Sequence, residues 1–244
     1  MNYNKNVNIF KNSKTMAENL AEETIGILSD PNKEQFTIAL AGGSTPEIFY
    51  KTLAQAKYSS RVSWNKVHLF WGDERCVPPD HQDSNYGMVE RLLMENVKIP
   101  DNNIHRIKGE QQPEAEARRY SELLNKILYK KGGQPYFDII FLGLGKDGHT
   151  ASLFPESKNL NIEDRLCSVA EHPSTGQKRI TLNLPVITNA KKLFFMVTGK
   201  RKSEIIEKIL LHNKISRKYP ASLVNQKAEE VEWFLDAEAG SGLE

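Results

Sequence analysis

The reading of the fold turns on Phe137–Pro155, FDIIFLGLGKDGHTASLFP. Its first half is an apolar run of the length expected for a strand buried on both faces. Glycines then stand at 143, 145 and 148, with Asp147 and His149 set among them. In an open parallel sheet, ligands bind beyond the carboxyl ends of the strands. A histidine on a bare loop at such an end is placed for chemistry, unless Asp147 and His149 merely satisfy local backbone groups in a structural turn.

The same pattern recurs on either side. Phe36–Ala41 (FTIALA), Lys66–Trp71 (KVHLFW) and Lys192–Val197 (KLFFMV) are short and rich in β-branched or aromatic residues, and Arg179–Pro185 and Val231–Asp236 read as two more strands. Between them lie helical patterns. Lys14–Ser29 carries Met16, Leu20, Ile27 and Leu28 at helical spacing; Asn85–Glu95 follows a cap at Asp83-Ser84; Pro113–Lys130 and Lys200–Leu211 complete the set. Another helix opens at Ser44-Thr45-Pro46, where Pro46 suits a first turn. This alternation predicts an α/β fold of three layers, a mostly parallel, doubly wound sheet with helices on both faces. No repeat or linker divides the chain, so one domain over residues 1–244 is expected, with the closing GSGLE set aside as a tail.

Composition narrows the function. With 39% hydrophobic and 26% charged residues the chain has enough apolar surface for a core, which excludes a disordered protein. A formal charge of +2 gives no field for nucleic acid, so any anion site must be built locally. Cys76 and Cys167 make neither a disulfide framework nor a CxxC centre. No apolar run approaches the roughly 20 residues that span a bilayer, and the opening MNYNKNVNIFKNSK lacks the apolar core of a secretory signal. A cytoplasmic protein without a membrane partner is the expectation.

Several strand ends carry reactive or basic groups. In AGGSTP, Gly42 and Gly43 allow close approach while Ser44 and Thr45 add hydroxyls at a helix N-terminus, which is a phosphate cradle in outline or a plain capped turn. The GxxxxGK[ST] pattern of a P-loop is absent. GDER puts Asp73, Glu74 and Arg75 in a turn, where Arg75 could fork onto a phosphate or pair with a neighbouring carboxylate. Lys200, Arg201 and Lys202 crowd a helix start where cations are unfavourable, so either an anion or solvent must compensate, and Arg179 heads a strand that could reach the same place. Histidine is the side chain suited to taking and returning protons near neutrality, and Asp147, two residues before His149, could hold one ring nitrogen so that the other acts as a base. The histidines at 68, 81, 105, 172 and 212 lie in no such setting, and His81 with Asp83 lacks the further ligands of a metal site.

Taken together, AGGSTP, FWGDERCVP, DSNYGM, GLGKDGHTASLFP and RITLNLPVITNAKKLFFMVTGKRK resemble the 6-phosphogluconolactonases of the glucosamine-6-phosphate isomerase/6-phosphogluconolactonase family, collinearly from about Phe36 to Asp236. The resemblance implies hydrolysis of 6-phospho-D-glucono-1,5-lactone, with no metal or organic cofactor. It implies a small sugar-phosphate substrate, and a monomer or weak homo-oligomer is expected. His149 would be the general base and Asp147 its orienting group. Gly42, Gly43, Ser44, Thr45, Arg75, Arg179 and Lys202 would hold the phosphate, Asp73 would meet sugar hydroxyls or the arginine, and Gly145 would border the substrate. In the related deaminases the DGH motif continues as DGHIAFNEP, with a proton-shuttling glutamate where this chain has Phe154. A phenyl ring exchanges no protons, which favours hydrolysis over deamination. A non-catalytic sugar-phosphate sensor is the remaining alternative, and it would have no use for the Asp147–His149 pair.

Overall fold

Five consecutive buried residues, Phe36–Leu40, leave no solvent-facing side to that strand, so both of its faces must be covered. The computed structural model, which describes residues 6–211 and 218–243, shows how. Its strands are β1 (Asn6–Phe10), β2 (Phe36–Leu40), β3 (Val67–Trp71), β4 (Asp73–Arg75), β5 (Ile104–His105), β6 (Lys130–Lys131), β7 (Gln134–Pro135), β8 (Ile139–Leu142), β9 (Cys167–Glu171), β10 (Lys178–Leu182), β11 (Lys192–Val197) and β12 (Val231–Asp236). Its helices are α1 (Ser13–Leu28), α2 (Ser44–Leu53), α3 (Ala56–Ser59), α4 (Asn85–Leu92), α5 (Pro113–Ile127), α6 (Leu184–Thr188), α7 (Ser203–Leu211), α8 (Pro220–Lys227) and α9 (Ala237–Gly240).

Seven strands form the main sheet in the order β1-β12-β11-β8-β2-β3-β5, and every neighbouring pair is parallel. From β2 the chain winds outward through β3 to β5. It then returns to β8 on the other side of β2 and winds outward again through β11 and β12. The reversal between β2 and β8 is a topological switch point, where the loops leaving two adjacent strand ends diverge and open a crevice. Parallel strands buried on both faces read as continuous apolar runs, as β2 and β8 do. Aromatic rings cross the sheet from Phe49 through Phe141 and Phe194 to Phe234 and Phe10, with centroid separations of 4.8–5.8 Å.

The expected strand at Arg179–Pro185 exists as β10 but belongs elsewhere. It pairs antiparallel with β4 on one side and β9 on the other, making a second sheet of three strands. Neither β1 nor β9 was expected. The first is a short edge strand of mixed character, and the second is defined by its pairing rather than by its own apolarity. The helix expected over Lys200–Leu211 begins with a 3-10 turn at Lys200–Lys202, and α7 follows it. Leu243, within the closing GSGLE, packs against the core rather than trailing free.

At the far edge of the main sheet, His68 Nδ1 lies 3.0 Å from His105 Nε2, and the His105 ring stacks on Phe70 at 4.5 Å. Burial lowers the pKa of His105 from 6.5 to about 4, and the charges of His68 and Arg119 add to the effect. The unfolded chain therefore takes up this proton at a higher pH than the folded one. Stability contributed by the neutral ring is present above about pH 6.5 and is lost as pH falls towards 4. Melting temperature should decline over that interval and level off below it, and His105→Gln should flatten the decline. A decline of equal size in the variant would show that another group is responsible.

Candidate active site

The residues singled out at strand ends meet in one cavity of about 600 Å³ at the β2/β8 switch point. Gly42, Gly43, Ser44, Thr45, Asp73, Arg75, Gly145, Asp147, His149, Arg179 and Lys202 all line it. It also takes in Asn85, Lys146, His172, Ser174 and Thr198.

The β2 side supplies helix α2. Gly43 precedes it with φ of +111°, a conformation that side chains rarely adopt, and no side chain caps the helix. Its first free N–H groups, at the positive end of the helix dipole, therefore lie along the cavity wall. Thr45 shares a 2.8 Å hydrogen bond with Thr198 beyond β11, which ties two strand-end loops together. On that second loop only Lys202 of the three basic residues lines the cavity. Its ammonium donates to the carbonyl of Leu144, while Lys200 turns away to Ser241. Burial and the neighbouring Lys146 lower the pKa of Lys202, against the pull of Asp147.

The second sheet supplies the arginines. In the β4/β10 ladder Arg75 stands directly opposite Arg179, so the two side chains leave the same face. Like charges in that register repel. Both Nε atoms are buried without a hydrogen-bond partner among the described residues. Two such orphaned donors beside an uncapped helix are groups that could take up an anion locally, without a field from the whole chain. Arg75 also donates to the Asp83 carbonyl at 2.6 Å, and Arg179 to Gln177 at 3.3 Å.

The other two residues of GDER face inward. Asp73, 5% exposed, accepts from Ser152 Oγ at 2.6 Å and from Asn85 Nδ2 at 3.4 Å, which joins β4 to the histidine loop and to α4. Glu74 accepts from the Arg75, Asn85 and Tyr86 amides at 2.8 Å each and from Ser84 Oγ at 3.1 Å. It is thus the anion at the N-terminus of α4. Burial raises its pKa even though the amide bonds favour its charged form. The thiol of Cys76, next in sequence, is pushed up to about 11 by burial, and that of Cys167 to about 12. Neither is a ready nucleophile near neutrality.

The loop after β8 carries the imidazole. His149 Nδ1 lies 2.6 Å from Asp147 Oδ1. Burial works against ionisation of Asp147, but the hydrogen bond and charge of His149 outweigh it and hold the carboxyl at about 2. With Asp147 ionised, Nδ1 is the protonated nitrogen and Nε2 keeps its lone pair. Gly145 is required by this contact: a Cβ there would lie 2.1 Å from His149 Nδ1 and 2.5 Å from Asp147 Oδ1. Behind the histidine, Phe154 is 2% exposed and puts its ring 4.8 Å from that of His149 and 5.8 Å beneath the Arg179 guanidinium.

One expectation fails here. His172 was set aside with the other histidines, yet the β9–β10 hairpin carries it into the cavity, edge-on to Phe154 at 5.2 Å. Nothing in its local sequence announces this, because its place depends on β9. His81 accepts the Asp83 amide at 3.1 Å, an ordinary turn contact. Among the described residues no cluster of three His, Cys, Asp or Glu side chains could hold a metal ion. His212 lies outside the described residues.

Comparison with known proteins gives the family. The chain is 42% identical over 202 residues to a 6-phosphogluconolactonase of Haemophilus influenzae, covering 83% of this chain and 85% of that protein. It is 39% identical to one of Aggregatibacter actinomycetemcomitans, covering 96% and 98%. The solved 6-phosphogluconolactonase of Trypanosoma brucei superposes with a TM-score of 0.86 at 27% identity over 100% of both chains. A monomeric glucosamine-6-phosphate deaminase shares the fold, with a TM-score of 0.82 at 23% identity over 97% and 99%. A family model described as glucosamine-6-phosphate isomerases/6-phosphogluconolactonase matches residues 11–233, and this chain belongs to that family.

Proposed function

We propose that this enzyme hydrolyses 6-phospho-D-glucono-1,5-lactone to 6-phospho-D-gluconate, the hydrolytic step of the oxidative pentose phosphate pathway, with His149 as general base. The observation that carries the reading is the 2.6 Å Asp147–His149 contact, in a cavity that also holds an uncapped helix N-terminus and the basic side chains of Arg75, Lys146, Arg179 and Lys202. A lactone is an activated ester, so it needs a positioned water and a base more than it needs a covalent nucleophile. His149 Nε2 takes a proton from water as the water oxygen bonds to the lactone carbonyl carbon. The same nitrogen then returns that proton to the ring oxygen as the carbon–oxygen bond breaks. Asp147 keeps the ring in the right tautomer and stabilises the imidazolium formed between the two steps.

The phosphate falls to the α2 N-terminus with Arg75, Arg179 and Lys202. These groups bear on a part of the substrate that does not react, so they act on binding. Lys202→Ala should raise KM by about 10-fold or more with a much smaller change in kcat. A fall in kcat at constant KM would remove Lys202 from the phosphate. Amino-sugar deamination is the weaker reading, because the position of the proton-shuttling glutamate is filled by the buried Phe154 ring. Two free thiols, Cys167 buried and Cys76 half-buried, suit a reducing, cytoplasmic setting. The direct test is a coupled assay with freshly generated lactone, run against the spontaneous rate. Turnover no faster than that background, or ammonia release from glucosamine 6-phosphate at a comparable rate, would refute the assignment.

A further inference from the structure

The cavity contains a second imidazole, and its hydrogen bonds fix the opposite tautomer from the first. His172 Nδ1 accepts the backbone N–H groups of Ser174 and Thr175, each at 3.3 Å. A ring nitrogen that accepts cannot carry the proton, so in the neutral ring the hydrogen sits on Nε2. The hairpin that makes these contacts is closed at both ends. The His172 amide donates to Gln177 at 3.0 Å, and the Gly176 amide donates back to the His172 carbonyl at 2.9 Å. Gln177 is held in turn by Asp83 at 3.2 Å and by Arg179 at 3.3 Å. The edge of Phe154 flanks the ring. His172 is thus a preset donor on a braced turn, whereas His149 offers a lone pair.

We propose that His172 is a specificity-determining residue whose Nε2–H donates a hydrogen bond to an uncharged oxygen of the bound sugar. The proposal rests on the lactonase reading for the identity of that sugar. Burial, with the charges of Arg179, His149 and Arg75, works against a proton on His172, and Asp147 alone favours one. A neutral donor suits a hydroxyl or ring oxygen, and the cavity already has its cations in Arg75, Lys146, Arg179 and Lys202. Such a bond exists in the ground state and the transition state alike, so it contributes to affinity rather than to turnover.

The test has two arms on the full-length enzyme. In the first, His172→Ala should raise KM for the lactone about 10-fold while kcat stays within about 3-fold, and His172→Gln, which keeps an N–H donor, should recover most of the loss. Unchanged KM in the alanine variant overturns the proposal. So does a loss confined to kcat, or a glutamine variant as poor as alanine. In the second, nitrogen-15 NMR of the histidine rings needs no substrate and should show His172 as the Nε2–H tautomer in the neutral state; the Nδ1–H tautomer overturns the proposal. Failure of the wild type to accelerate lactone hydrolysis would instead refute the functional reading, and the NMR arm separates the two failures.

Discussion

Alanine in place of His149 is expected to lower kcat by at least about 100-fold, the usual contribution of a general base. Melting temperature should barely change, because the ring is partly exposed and its one strong bond is to Asp147 in its own loop. Asp147→Asn should also lower kcat, since an amide can present its N–H to Nδ1 and favour the wrong tautomer. The pH profile adds an independent check. Asp147 is held at about 2, so it stays ionised through the working range and contributes no acid limb. A general base gives kcat/KM an acid limb, and the limb it contributes should vanish in His149→Ala. Turnover by His149→Ala at the wild-type rate would remove the histidine from the role of base.

The largest effect on stability is expected at Glu74. Its carboxylate, 2% exposed, accepts three amides and one hydroxyl at the head of α4. Glu74→Ala would leave those four donors without this partner, the Ser84 hydroxyl and Asn85 amide in buried contacts and the Arg75 and Tyr86 amides in half-buried ones. Such groups cost about 1–3 kcal/mol each, with relaxation and water entry reducing the sum, so a loss of about 3–5 kcal/mol is expected. For a chain of this size that is a drop in melting temperature of roughly 10 °C. Glu74→Gln should fall between, because its amide turns one acceptor into a donor facing N–H groups. Asn85, whose side chain bonds to Asp73, would shift with α4, so activity should fall together with stability. Denaturation midpoints by urea or heat test this; a near-neutral alanine variant would mean that water replaces the carboxylate at little cost.

The legible part of the molecule was the part written in local pattern. Apolar runs that end in glycine located β2, β3 and β8, and the loops after them carried the cavity's reactive groups without help from distant contacts. The three basic residues at 200–202 were legible only as a cluster. That Lys202 alone reaches the cavity depends on the 3-10 turn, which sends Lys200 to Ser241. GDER was legible as a charged turn, but its division of labour was not. Glu74 serves α4, Asp73 serves Ser152, and Arg75 faces the cavity because β10 runs alongside. The small antiparallel sheet was the main blind spot, since strand β9 exists through its ladder with β10 and carries His172 to the site. Long-range pairing of this kind leaves no periodic trace in one sequence.

The facing arginines of the β4/β10 ladder have a thermodynamic corollary. Two cations held side by side oppose the fold, and an anion bound between them, as the proposed phosphate contact requires, would relieve that opposition as well as make its own bonds. Occupancy and fold integrity are therefore linked quantities, each reinforcing the other by mass action. On the proposed phosphate contact, a chain deprived of phosphorylated sugars would open more often than one amply supplied, and its resistance to proteolysis would track their concentration.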